Sequence, residues 1–253
     1  MMTPKKVFGA FIVVAILVVS CGKLQEKPVV DFAMKSFKVE SRTNCNDADS
    51  IPCASFEVQF PVFLSLDSNV RRAISDRVAY IINGSQGETK SLEQTGGDFL
   101  KDFEAFMKEM PDYGLSWYFN GYVEVMVASD TLISLEVSSE SFTGGAHASF
   151  TTNYVNIDPK TGTAYLLDAM LRAGYEDELN RLAGEDIQEQ LGLTGSDSID
   201  GPDFPSEPFK LNENYGFRKE GIVFYFNDYE LPSFAEGPTE ILIPYEKLQG
   251  WIK

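Results

Sequence analysis

Three consecutive segments, Trp117 to Ala128, Leu132 to Phe142 and Ala148 to Asp158, alternate apolar and polar residues with a period of two. That period places the apolar side chains on one face of each segment, the pattern of half-buried strands. The connections, Ser129-Asp-Thr131 and Thr143-Gly-Gly-Ala-His147, are too short for a crossover, so an antiparallel meander is expected. Gly144 and Gly145 allow positive φ and close backbone approach, which predicts a tight bend between the second and third strands. His147, the single histidine, follows that bend directly. A histidine in this position suits a proton donor, a metal ligand, a partner contact or a plain local hydrogen bond.

Around the meander the period switches twice. Phe32 to Arg42 reads as a strand paired with Ala54 to Val62, in which Phe56, Val58, Phe60 and Val62 point inward. Val70, Ala73, Ile74, Val78 and Ile81 then follow helical spacing, with Asp67 or Ser68 to cap the start and Asn83-Gly84 to end it. A second helix is expected from Asp98 to Met110, with Phe99, Phe103, Phe106, Met107 and Met110 on one stripe and Pro111 as its stop. Past the turn Asp158-Pro-Lys-Thr-Gly162 come a short helix around Leu167 and a longer one from Tyr175 to Leu191. Gly192 to Pro208 reads as an exposed loop, and its Asp197, Asp200 and Asp203 lack the spacing of an EF-hand. Strands at Gly221 to Phe226 and Thr239 to Pro244 follow, and Tyr245 to Trp251 caps the sheet. The expected class is α+β: antiparallel sheets with helices packed on one face, in two adjoining subdomains at residues 31–145 and 146–253.

At the N-terminus Lys5 and Lys6 precede an apolar run from Val7 to Val19, short for a bilayer span but suited to a signal peptide. It ends in Val18-Val19-Ser20-Cys21, which resembles the bacterial lipobox. The resemblance implies a lipoprotein signal peptide at 1–20, acylation of Cys21 and a tether at 21–30. The expected location is the cell envelope, lipid-anchored at the outer membrane and facing the periplasm or the surface. Export leaves Cys45 and Cys53 as an even pair in an oxidising compartment, so a disulfide is expected between them. Asp47 and Asp49 alone are too few to complete a metal site there.

The formal charge of −17 becomes two units more negative once Lys5 and Lys6 are removed. Such a surface repels phosphate backbones and draws cationic partners, so nucleic acid is not an expected ligand. One histidine rules out histidine clusters for zinc, and no phosphate-cradling loop, dinucleotide fingerprint or nucleophile elbow is present. No cofactor is expected.

Three further stretches carry a resemblance. Phe142-Thr-Gly-Gly-Ala-His147, Asn156-Ile-Asp-Pro-Lys-Thr-Gly162 with Leu167-Asp168, and Gly221-Ile-Val-Phe-Tyr-Phe-Asn-Asp-Tyr-Glu230 with Glu236-Gly237 and Ile243-Pro244-Tyr245 resemble, in order and spacing, the RsiV-like anti-sigma factors and the accessory domain of PdaC-type peptidoglycan deacetylases. The resemblance implies an extracytoplasmic recognition module, which in RsiV-like proteins binds lysozyme. The sequence shows neither a cytoplasmic sigma-binding segment nor the deacetylase's metal-binding catalytic domain, so sigma-factor control and deacetylation are not expected. A non-catalytic protein is expected, recognising a cationic protein such as lysozyme or cell-wall glycan through Thr143, Gly144, Gly145, His147, Tyr229 and Glu230, with contact area from Tyr229 and Phe234. The alternative is an envelope-polymer hydrolase working through loop carboxylates, with Glu230 and Glu236 as the pair.

Overall fold

Five strands form the larger sheet in chain order: β1 (Phe32–Glu40), β2 (Ala54–Phe63), β3 (Trp117–Ala128), β4 (Ile133–Phe142) and β5 (Ser149–Ile157). The computed structural model describes residues 30–42, 45, 51–85, 87–190, 209–231 and 237–253. Cys21, the tether up to residue 29, the aspartates at 197, 200 and 203, Phe234 and Glu236 lie outside the described residues. The meander β3–β4–β5 is antiparallel as its short connections predict, and so is β1–β2. One junction departs from the all-antiparallel expectation: β2 and β3 run parallel, paired from Ala54↔Trp117 to Gln59↔Tyr122. A parallel pair needs a crossover, and both helices between them supply it, α1 (Ser68–Ile82) and α2 (Leu92–Glu109).

The crossover lays α1 and α2 on one face of this sheet. Val70, Ile74, Val78 and Ile82 of α1 are buried there against Phe56, Val58, Val123, Leu135 and Val155. Phe63 and Pro61 are buried at the end of β2, while Phe60 and Val62, expected inward, are only half-buried. Helix α2 starts six residues before its expected first residue. Ser91 caps it in a reciprocal box with Gln94, which offsets the two glycines that follow in the first turns. Gly96 is there for contact: a Cβ would sit 2.8 Å from Val39 Cγ2 and 3.0 Å from Phe56 Cδ1. Lower on α2, Phe99, Phe103 and Phe106 surround Trp117 at ring separations of 6.1, 5.6 and 5.0 Å. The Cys45–Cys53 disulfide is formed and closes the loop between β1 and β2. No helix among the described residues is long and apolar enough to cross a membrane.

A second sheet, β6 (Tyr215–Phe217), β7 (Gly221–Phe226) and β8 (Thr239–Pro244), is antiparallel throughout. Strand β6 escapes the sequence reading because three residues show no period. Helix α4 (Tyr175–Gln190) buries Leu179, Leu182, Ala183 and Ile187 in the core of this half, together with Leu167 of α3 (Leu167–Met170) and Phe217, Ile222, Phe224 and Ile243. The 3-10 turn Tyr245–Leu248 closes the core with Leu248 fully buried.

The small sheet approaches the face of the larger one opposite to α1. On that face Ser134, Glu136, Tyr154 and Asn156 alternate with the core residues of β4 and β5. Strand β6 crosses directly over them: a Cβ on Gly216 would lie 2.4 Å from the Tyr154 ring, and Phe217 N donates to Ser134 Oγ at 2.9 Å. Strand β5, placed by sequence in the second subdomain, completes the first sheet, so the division between the two layers falls after Ile157.

Candidate functional site

The glycine corner is a six-residue connection between β4 and β5. Gly144 adopts φ +93°, and a Cβ there would meet Tyr113 Oη at 2.8 Å and Trp117 Nε1 at 3.2 Å, so both conformation and space require glycine. The Tyr113 hydroxyl and Trp117 Nε1 are buried with no hydrogen-bond partner among the described residues. Thr143, Gly145 and His147 are exposed, and His147 Nδ1 lies 3.0 Å from Ala148 O.

At the other end of the predicted surface, Tyr229 holds φ +67° and is 80% exposed. Glu230 serves the local backbone, because its Oε2 accepts from Asn227 N at 2.9 Å and from Asn212 Nδ2 at 3.2 Å and so closes the turn that carries Tyr229. This turn is fixed to β5 through Asn227, whose Oδ1 accepts from Thr152 N at 2.7 Å. Thr152 is the fourth residue of β5, so about 10 Å of strand lies between it and Ser149, where the corner that carries His147 begins. The corner and the turn therefore lie along one edge of β5 as two separate exposed points, and none of the six predicted residues lines either cavity described below.

A cleft of about 450 Å3 opens instead beside Asp168. Its position follows from the turn before it: Asp158 Oδ1 accepts from Lys160 N at 2.7 Å, and Gly162 at φ +75° turns the chain so that Tyr165 N reaches Asn156 O. Leu166 and Leu167 then enter α3, and Asp168 occupies its first turn. Leu167, Leu179 and Phe224 form the apolar floor, and Asp168, Glu176 and Glu213 supply three carboxylates. No lysine, arginine or histidine lines it. Tyr175 and Tyr215 complete the wall. Burial, then a hydrogen bond to Asp168, pushes the Tyr175 hydroxyl up to about 12, and burial raises that of Tyr215, so both stand as neutral donors at ordinary pH. The amides at the cleft are already engaged: Asn180 Oδ1 accepts from Leu211 N at 2.8 Å, and Asn212 Nδ2 donates to Tyr225 O at 2.8 Å. Three acids that form no ion pair among the described residues, over an apolar floor, suit a cationic group carried on a hydrocarbon stem. Among the described residues no group of three or more histidine, cysteine, aspartate or glutamate side chains is arranged to hold a metal ion.

A second polar cluster joins the two sheets. Arg218 bonds Glu240 through both terminal nitrogens at 2.6 and 2.8 Å, and its Nη2 reaches Glu136 at 3.1 Å and the Tyr154 hydroxyl at 3.2 Å. Burial opposes the Arg218 charge, but the bonds to Glu240 and Glu136 outweigh it and raise its pKa. Burial and the Glu136 carboxylate raise Tyr154. Sequence reasoning missed this group because its members lie on four different strands or their flanks, with no local motif.

Residues 48–149 match the family described as Deacetylase PdaC, and residues 168–246 match the one described as a protein of unknown function, DUF3298. The chain thus carries two separate stretches, each similar to one of these families, and neither match spans half of it. The cleft lies largely within the DUF3298 match, with Asp168 as its first residue. A crystal structure of a DUF3298 family member from Bacteroides fragilis superposes with a TM-score of 0.69 at 19% identity, covering 90% of this chain and 96% of that one. A DUF3298 family protein from Pseudomonas aeruginosa gives 0.60 at 18% identity, covering 88% and 94%. At these identities the likeness is one of fold. No curated protein matches the chain.

Proposed function

We propose that this protein is a non-catalytic binding protein of the cell envelope, held to the outer membrane by lipid on Cys21, whose acidic cleft receives a basic side chain of a cationic partner. The observation that carries this reading is the cleft itself, with Asp168, Glu176 and Glu213 facing about 450 Å3 and no basic residue in its lining. The net charge of −17 supports it by drawing cationic proteins toward the surface before they dock. The resemblance to RsiV-like ectodomains makes lysozyme the first partner to test. Exposed Tyr229 lies on the turn that Asn212 ties to the cleft, and it adds contact area beside it.

Calorimetric titration with lysozyme at low and high salt tests the reading. Binding that weakens with salt and falls several-fold in Asp168→Asn and Glu213→Gln supports it. Absence of binding at either salt concentration removes lysozyme, and binding unchanged by both substitutions removes the cleft.

Cell-wall glycan is favoured by a different observation. Beyond the small sheet, the open face of the larger sheet presents Tyr122 and Phe150 at 45% and 54% exposure, beside the Tyr118–Phe142 stack. Aromatic rings among polar strand residues suit sugar faces. The hydrolase alternative draws no support from Glu230, whose carboxylate closes its own turn.

A further inference from the structure

A second cavity, of about 380 Å3, has the opposite chemistry to the acidic cleft. It arises from the register of the sheet. Strand β2 pairs with β3 only as far as Gln59 and then runs on beside β1 to Phe63. Its last residues leave a gap beneath α1. Phe60, Phe63, Ile74 and Leu92 line the gap, and Arg71 and Arg72 line it from the first turns of α1, with Asp76 as its one carboxylate.

The two arginines stand out by what they do not do. The chain has seven arginines. Four are engaged by the protein: Arg42 to Ile51 O, Arg172 to Gly250 O, Arg181 to Glu178 and Glu185, and Arg218 to Glu136 and Glu240. The other three, Arg71, Arg72 and Arg77, share α1 and have no ion pair or side-chain hydrogen bond among the described residues, although the chain carries 38 acidic side chains. Exposed Leu64 lies between this cavity's Phe63 and the start of α1, and exposed Met34 pairs with its Pro61, which extends the apolar surface outward. An apolar cavity with two uncommitted guanidinium groups at its wall matches a ligand with an anionic head on a hydrocarbon body.

We propose that this cavity binds an anionic amphiphile, the phosphate or carboxylate head meeting Arg71 and Arg72 and the first carbons of the chain lying against Phe60, Phe63 and Leu92. The site is separate from the acidic cleft, and its occupant carries the opposite charge. Two sources have this chemistry, a lipid of the bilayer and a free amphiphile in solution.

Calorimetric titration of the full chain with octyl phosphate, 1-octanol and octyltrimethylammonium tests the proposal. Octyl phosphate is expected to bind tightest, and the double substitution R71A/R72A is expected to weaken it about tenfold or more, the size of a charge-assisted hydrogen bond. R77A, on the same helix but outside the cavity lining, is the control and is expected to bind as the parent does. Equal binding of all three probes, or octyl phosphate binding unchanged in R71A/R72A, overturns the proposal. Flotation with phosphatidylglycerol and phosphatidylcholine vesicles then separates the sources. A preference for phosphatidylglycerol that is lost in R71A/R72A assigns the head to bilayer lipid, and octyl phosphate binding without that preference assigns it to a free amphiphile.

Discussion

Replacing Asn214 with alanine tests how the two sheets are joined. Among the described residues no sixth strand pairs with the outer edge of β5, and asparagine side chains stand in for one along Thr152 and Tyr154. Asn214 Oδ1 accepts from Tyr154 N at 3.0 Å, while its Nδ2 donates to Thr152 O at 2.8 Å and to Tyr225 O at 3.0 Å. Alanine removes all three, with unequal consequences. Thr152 O keeps Asn227 Nδ2 at 3.1 Å, and Tyr225 O keeps Asn212 Nδ2 at 2.8 Å. Only the Tyr154 N–H loses its partner outright, beneath the β6 backbone that passes over its ring. An orphaned donor costs about 1–3 kcal/mol and each weakened acceptor a few tenths, so the expected loss is about 2–3 kcal/mol. The assay is urea unfolding followed by fluorescence, because the two tryptophans, Trp117 and Trp251, lie one in each half. Single-tryptophan variants report the halves separately, and both midpoints are expected to fall together in Asn214→Ala. A loss below about 0.5 kcal/mol, a value within the ordinary scatter of surface substitutions, refutes the bonding scheme. A shift of the Trp251 transition alone refutes the coupling. Asn214→Asp sharpens the test: it keeps the acceptor for Tyr154 but sets a carboxylate against two carbonyls. Its folded-state pKa is thereby raised, so that variant is expected to regain stability as pH falls through that value.

Gly96→Ala is expected to cost about 1–3 kcal/mol by overpacking against Val39 and Phe56, whereas Gly97→Ala, with nothing within 4 Å, is expected to gain about 0.5–1 kcal/mol from helix propensity; paired thermal melts check both. Replacing Cys45 and Cys53 together by serine opens a short loop and is expected to cost about 2–3 kcal/mol, measured by urea unfolding against the oxidised parent. Tyr175 and Tyr245 are held up to about 12, mainly by burial, against an unfolded value near 10. The folded state favours the neutral phenols, so their contribution is intact below about pH 10 and is lost as pH rises toward 12. Urea midpoints that stay flat across that interval would contradict the burial of these hydroxyls.

Most of the large sheet was legible because its strands alternate cleanly: Trp117 to Ala128 falls on β3 without a shift at either end, and in the small sheet the apolar run Gly221 to Phe226 falls on β7 equally well. The parallel β2–β3 junction was not, since period two shows that a segment is a strand but carries no direction. The start of α2 was hidden by Gly96-Gly97, which lower helix propensity locally. The helix is set there by tertiary contact, where Gly96 lets the backbone approach β1 and β2, and by the Ser91–Gln94 box. Strand β6 and the Arg218 cluster were illegible for a common reason. Each depends on residues about sixty to eighty positions apart meeting across two sheets, as Asn156 does with Tyr215 and Glu136 with Arg218.

The same limit explains why the glycine corner looked like a site and the cleft did not. Adjacent glycines beside a lone histidine are conspicuous in a sequence, yet Gly144 is required by the ring atoms of Tyr113 and Trp117 behind it. Asp168, Glu176 and Glu213 attract no notice among 38 acids until α3, α4 and the segment before β6 bring them around one cavity. The tie between the two regions is Asn212, which lines the cleft while its amide holds Tyr225 O and Glu230. Glu230 in turn closes the turn that exposes Tyr229, and Asn227 of that turn grips β5 at Thr152. Tyr229 is therefore joined through a short chain of hydrogen bonds to a residue of the acidic cleft, whereas its tie to the glycine corner runs only along the first residues of β5.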